Sequence, residues 1–105
     1  MIDILKACRK EIEKFPKVIR GDLADALARL DAGLALSLPL SRPMPDIGRG
    51  VHELRLQDRS GAYRVVYALV LRETVHVLHA FKKTTQATSA RDLELARKRF
   101  KEVRK

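Results

Sequence analysis

Residues 51–84, VHELRLQDRSGAYRVVYALVLRETVHVLHAFKKT, constrain the fold more than any other part of the chain. Three runs rich in Val, Leu and Tyr predict strands at Val51–Gln57, Ala62–Val70 and Thr74–Phe81. Asp58-Arg59-Ser60-Gly61 supplies a turn with a glycine free to take positive φ, and Leu71-Arg72-Glu73 supplies the second connection. Links this short exclude parallel crossovers, so the three strands form an antiparallel meander. Cations and imidazoles interrupt the apolar pattern at Arg55, Arg64, His79, Lys82 and Lys83. Chemistry is therefore sought on this sheet.

The flanking segments read as helices. Ile4, Leu5, Cys8, Ile12 and Phe15 recur at spacings of three and four, predicting a helix over Asp3–Phe15. Pro16 ends it and opens a second helix over Lys17–Asp31, with Val18, Ile19, Leu23, Ala26, Leu27 and Leu30 on one stripe. The two are expected to form a hairpin over one face of the sheet. Leu36–Gly50 holds three of the four prolines and two of the five glycines, the composition of a surface connector. Ser89 is placed to cap a last helix, with Asp92 as its capping acid and Leu93, Ala96, Phe100 and Val103 as its stripe.

At 105 residues the chain makes one domain, 1–105, with one modest core. No apolar run is long enough for a membrane span of roughly 18–20 residues. Cys8 is the lone cysteine, so no internal disulfide forms; it is expected buried and inert, in a reducing cytoplasm. The net charge is +9, and it is uneven. Residues 1–50 carry nine Lys/Arg against seven Asp/Glu, residues 51–105 thirteen against six. That asymmetry favours a polyanionic partner, nucleic acid first and an acidic protein second, over a basic face that binds nothing.

No zinc spacing, phosphate-binding glycine loop, dinucleotide fingerprint or hydrolase elbow is present, so no metal or cofactor is expected. His76 and His79, three apart in a strand, point to opposite faces unless the strand bulges. Arg64 lies on a strand apolar on both sides, where burial demands an acid or a bound anion beside it. Two readings stay open: a pair with Glu53 on the neighbouring strand, or a guanidinium that grips a phosphate in two-pronged fashion. His79 and Lys82 have opposite parity, and share a site only if the strand ends or bulges near Phe81.

The ordered set GVHELRL, AYRVVYAL and VHVLHAFKKTTQATSARDLELARKRF, preceded by PMPDIGRG, resembles the RelE/ParE toxin superfamily, and within it the phage-derived HigB-like branch of type II toxin–antitoxin systems. The resemblance runs from about Phe15 onward. It implies a RelE-like α+β fold: an N-terminal helical hairpin on a twisted antiparallel sheet of three to four strands, plus a C-terminal helix. Members usually open with a β-strand, which this chain supplies only if Met1–Leu5 is extended. The implied activity is ribosome-dependent mRNA cleavage without a metal, in which a 2′-hydroxyl attacks the adjacent phosphorus. The implied partners are a HigA-like helix-turn-helix antitoxin, the ribosome and mRNA. By the same likeness Arg64, His79 and Lys82 are the candidate catalytic residues, with Arg64 and Lys82 stabilising charge and His79 moving protons. Arg55, Lys83 and Tyr67 are candidate substrate contacts, although the parity of Tyr67 also suits the core. The alternatives are a ParE-like inhibitor of DNA gyrase and a basic RNA-binding module without catalysis.

Overall fold

The computed structural model describes residues 1–71, 74–84 and 86–104, with the side chains of Val70 and Leu71 left aside. The expected connection at Arg72-Glu73 lies outside the described residues. The elements run β1 (Ile2–Ile4), α1 (Lys6–Glu13), α2 (Lys17–Asp31), β2 (Ser41–Pro43), β3 (Val51–Asp58), β4 (Gly61–Leu71), β5 (Thr74–Lys83) and α3 (Ala90–Val103). The architecture is the expected α+β one, with helices at both ends of the chain around a sheet. The sheet has five strands in the order β1-β5-β4-β3-β2, so the strand count exceeds three to four. The meander β3-β4-β5 is antiparallel as its short links require, and β1 joins β5 in parallel.

Both extra strands are three residues long and sit at the edges. The helix expected from Asp3 starts instead at Lys6, because Ile2 and Ile4 pack on the core from an extended backbone while Asp3 lies opposite His76 on β5. Within the proline-rich connector, Ser41–Pro43 pairs antiparallel with β3, Arg42 falling opposite Glu53.

Two cores result. Cys8 of α1, Phe15 of the link between the helices, and Ile19, Leu23 and Leu27 of α2 pack against Leu54, Leu56, Tyr63, Val65, Tyr67, Val75 and Val77. Val18 is the exception to the expected stripe: it is 64% exposed, because Ile19 takes the sheet-facing position and leaves Val18 turned to solvent. Cys8 is fully buried, and burial first, then the Glu11 carboxylate, pushes its thiol up to about 12. On the other face Ala96 and Phe100 of α3 cover Val51, Val66, Ala68 and Leu78, with Met44 and Ile47 from the loop after β2. Ser89 accepts a hydrogen bond from the Asp92 N–H at 3.1 Å, the expected cap.

Register decides what each face carries, since residues directly opposite in a ladder share a face. Gly61, at φ +144°, closes the β3–β4 turn, and Arg55 falls opposite Arg64. In β5 the pairing shifts between Tyr67–Val77 and Val66–His79, so Leu78 is a bulge. Val75 and Val77 face α1 and α2. Beyond the bulge the alternation restarts, and His79, Phe81 and Lys83 share the α3 face with Arg64.

Candidate anion-binding site on the open sheet face

Helix α3 covers only half of its face. The uncovered half carries Arg42 from β2, Glu53 and Arg55 from β3, Arg64 from β4 and Lys83 from β5, brought together by three ladder registers. Glu53 is 1% exposed and Arg64 6%. Arg64 Nε lies 3.6 Å from Glu53 Oε1, and Arg42 Nη2 lies 3.5 Å from the same oxygen. Thr88 Oγ1 donates to the other carboxylate oxygen at 3.0 Å, tying the loop before α3 to the site. The pair with Glu53 is thus formed, but it does not satisfy the guanidinium. Among the described residues the buried Arg64 Nε has no hydrogen-bond partner, and Nη1 donates at 3.2 Å to the Tyr63 carbonyl.

One buried carboxylate among three arginines and a lysine leaves positive charge in excess. Burial lowers the Arg64 pKa, Glu53 opposes this, and Arg55 and Arg42 add to it. Burial likewise lowers the Lys83 pKa, with Arg64 the next contributor. Arg64 and Lys83 line a shallow, solvent-open depression of about 700 Å³ with Ala62, Thr84 and Gln86. A second, of about 350 Å³, runs on from Arg64 past Arg55, Gln57, Leu40 and Pro39. Arg64 lines this depression although its Nε is buried, and the cations gathered around the opening suit it to phosphate oxygens. A separate hollow between α2 and β3 is lined by Asp22, Asp25, Arg29 and Arg55, and its mixed charges do not favour an anion.

Of the six residues singled out from sequence, three meet here: Arg55, Arg64 and Lys83. The other three do not. Lys82 was expected beside Arg64, but it lies opposite Tyr63 on the α1–α2 face, its Nζ 5.9 Å from the centre of that ring. The bulge at Leu78 is the cause, because it hands the Arg64 face to residues 79, 81 and 83. Tyr67 is 1% exposed on the α1–α2 face, and its hydroxyl meets Ser41 Oγ at 2.6 Å, so it is a core residue.

His79 does share the face of Arg64, but it lies beneath α3 and is 3% exposed. Its Nε2 is 2.7 Å from Asp92 Oδ1 and its Nδ1 3.3 Å from Glu11 Oε1. Arg99 joins them, donating to both Glu11 oxygens at 2.8 and 3.2 Å and to the Leu78 carbonyl at 2.9 Å. Glu11 in turn accepts the Ala80 N–H at 3.1 Å. These bonds occupy the edge of β5 where β1, paired only as far as Val77, has ended. Burial works against the Glu11 carboxylate, yet His79, Arg99 and the Ala80 N–H together outweigh it and hold the pKa at about 2. His79 therefore belongs to a clamp joining α1, β5 and α3. The same bulge puts His76 on the face of His79, but His76 turns to Asp3, 3.3 Å away. Among the described residues no cluster of three His, Cys, Asp or Glu is arranged to hold a metal ion.

Two site residues escaped the sequence: Arg42, whose strand carries no periodic signal, and Thr88, whose contact is made by loop packing. Glu53 was legible as a partner of Arg64 because the two lie one diagonal apart on adjacent strands.

The architecture is the RelE-like α+β fold. The chain is similar to E. coli toxin RelE in two solved structures. One, a double Arg-to-Ala mutant in the free state, is 22% identical with a TM-score of 0.63, covering 98% of this chain and 96% of that one. The other, the isolated toxin, is 24% identical with a TM-score of 0.55, covering 82% and 87%. The chain itself belongs to the family Phage derived protein Gp49-like (DUF891), whose model matches residues 10–101. No curated protein matches the sequence.

Proposed function

We propose that this protein is the toxin of a type II toxin–antitoxin pair within the RelE/ParE superfamily, and that it cleaves mRNA as a ribosome-dependent endoribonuclease in the cytoplasm. The observation that carries this reading is Arg64: a buried guanidinium with an unpaired Nε, bordered by Arg42, Arg55 and Lys83 at an open depression. The RelE-like fold supports it, as does the sequence likeness to the HigB-like branch, in which the silencing partner is a HigA-like helix-turn-helix antitoxin. No helix among the described residues is long and apolar enough to cross a membrane.

In this mechanism the RNA 2′-hydroxyl gives its proton to water as its oxygen attacks the adjacent phosphorus, a pentacoordinate phosphorane forms, and the 5′-oxygen leaves with a proton from Lys83, the other product being a 2′,3′-cyclic phosphate. Arg64 holds the non-bridging oxygens, where negative charge grows as the transition state is approached. Lys83, rather than Lys82, is the lysine beside Arg64, and it takes the proton-transfer role expected of His79. With its pKa lowered by burial and by Arg64, it is better matched to proton transfer than an ordinary lysine. Arg42 and Arg55 hold the flanking phosphates. His79 acts on the site only by holding the strand that carries Phe81 and Lys83.

Expression of the wild-type chain in bacteria without an antitoxin is expected to arrest growth, with transcripts cut only when ribosomes are present. Arg64→Ala and Lys83→Ala each lower the cleavage rate by about 10²–10³-fold and relieve arrest, whereas Lys82→Ala does neither. Arrest with intact transcripts and trapped gyrase–DNA complexes would transfer the reading to ParE-like gyrase inhibition. RNA binding without arrest or cleavage would leave a non-catalytic module.

A further inference from the structure

A third depression adjoins the cationic site. It measures about 240 Å³ and shares Lys83 and Gln86 with the hollow around Arg64. Its remaining wall differs in kind: Met44, Ala87 and Leu93 are apolar, and Arg42, Asp46 and Thr88 are polar. Arg42 Nη2 donates to Met44 Sδ at 3.4 Å and lies 3.5 Å from Glu53 Oε1, which ties the end of its planar guanidinium beside the thioether. The turn that carries Asp46 is fixed as well. Met44 accepts the N–H groups of Ile47 and Gly48 at 3.0 and 3.3 Å, and the Asp46 carbonyl accepts Arg97 Nε at 3.0 Å. The Asp46 carboxylate has no hydrogen-bond partner among the described residues.

We propose that this depression is a nucleobase pocket, which receives the base next to the phosphate held by Arg64 and Lys83 and favours bases that present an amino group. A bare anion gains nothing from Met44 and Leu93 and is repelled by Asp46. A flat heteroaromatic ring is served by all of them. It lies on the apolar wall, stacks against the Arg42 guanidinium and turns its edge to Asp46 and Gln86. A carboxylate only accepts hydrogen bonds, so it welcomes the amino group of cytosine and opposes the carbonyl that uracil offers at the same place. The volume lies below the roughly 300–1,000 Å³ of pockets for drug-sized ligands and suits one ring system.

The proposal takes the phosphate site from the ribonuclease reading, and its test separates the two. The chain, labelled with 15N throughout and at the Met and Leu methyls, is titrated with inorganic phosphate, CMP and UMP and followed by NMR. Phosphate is expected to shift signals near Arg64 and Lys83 alone. CMP also moves the Met44 and Leu93 methyls and binds about tenfold more tightly than UMP, a difference that Asp46→Asn abolishes. Identical responses to phosphate and CMP at Met44, or a CMP preference indifferent to Asp46→Asn, overturn the base pocket and leave the phosphate site standing. No response to any of the three removes both.

Discussion

Arg64 and Glu53 share a buried position without settling each other's needs. At 3.6 Å, Nε and Oε1 attract as charges but do not hydrogen-bond, and Arg42 competes for the same oxygen at 3.5 Å. Glu53 stands where a ligand phosphate would be a second anion. Removing its charge should therefore have two opposed effects. Glu53→Gln is expected to destabilise the free protein by about 3 kcal/mol, because it strands buried cations. Inorganic phosphate should then stabilise the variant more than the wild type, since it binds only the folded state and no longer competes with a resident carboxylate. Thermal unfolding with and without phosphate checks both; an equal phosphate effect in the two proteins would refute the account.

At the level of elements, the clamp of Glu11, His79, Asp92 and Arg99 holds α1 and α3 to the unpaired length of β5. The folded-state pKa of Glu11, about 2, lies below its ordinary value of 4.5, so its contribution to stability is complete above about pH 4.5 and lost as pH falls towards 2. Discounted for partial exposure, that contribution is about 1–2 kcal/mol. Glu11→Gln should lose this much at pH 7 and match the wild type near pH 2, as measured by denaturant unfolding at both pH values. Exchange of the Ala80 amide should quicken in the variant. The three long strands and three helices were legible because each carries a sustained period of its own. Strands β1 and β2 were not, since three residues hold no period and their structure comes from their partners. Arg55, Arg64 and Lys83 were recoverable as site candidates from residue type and likeness. Which lysine stands beside Arg64 was not, because a single bulge at Leu78 inverts the parity of all that follows, and no residue type marks it.

The net charge of +9 is uneven along the chain, and the sheet face left open by α3 receives four of its cations, Arg42, Arg55, Arg64 and Lys83. Three phosphates held there predict that the logarithm of single-stranded RNA affinity falls against the logarithm of salt concentration with a slope of about −2. Fluorescence anisotropy across a salt series measures it, and Arg55→Ala should flatten the slope by about 0.7. The two margins of the sheet have a different consequence. One ends in three residues and Pro43; on the other, beyond the reach of β1, the carboxylate of Glu11 and the guanidinium of Arg99 already occupy the Ala80 N–H and the Leu78 carbonyl. Among the described residues, neither of these stretches offers a foreign peptide a long row of free amides to zip onto. Under the toxin reading proposed above, a silencing partner is expected to lie across the cationic surface and to meet it with acidic side chains.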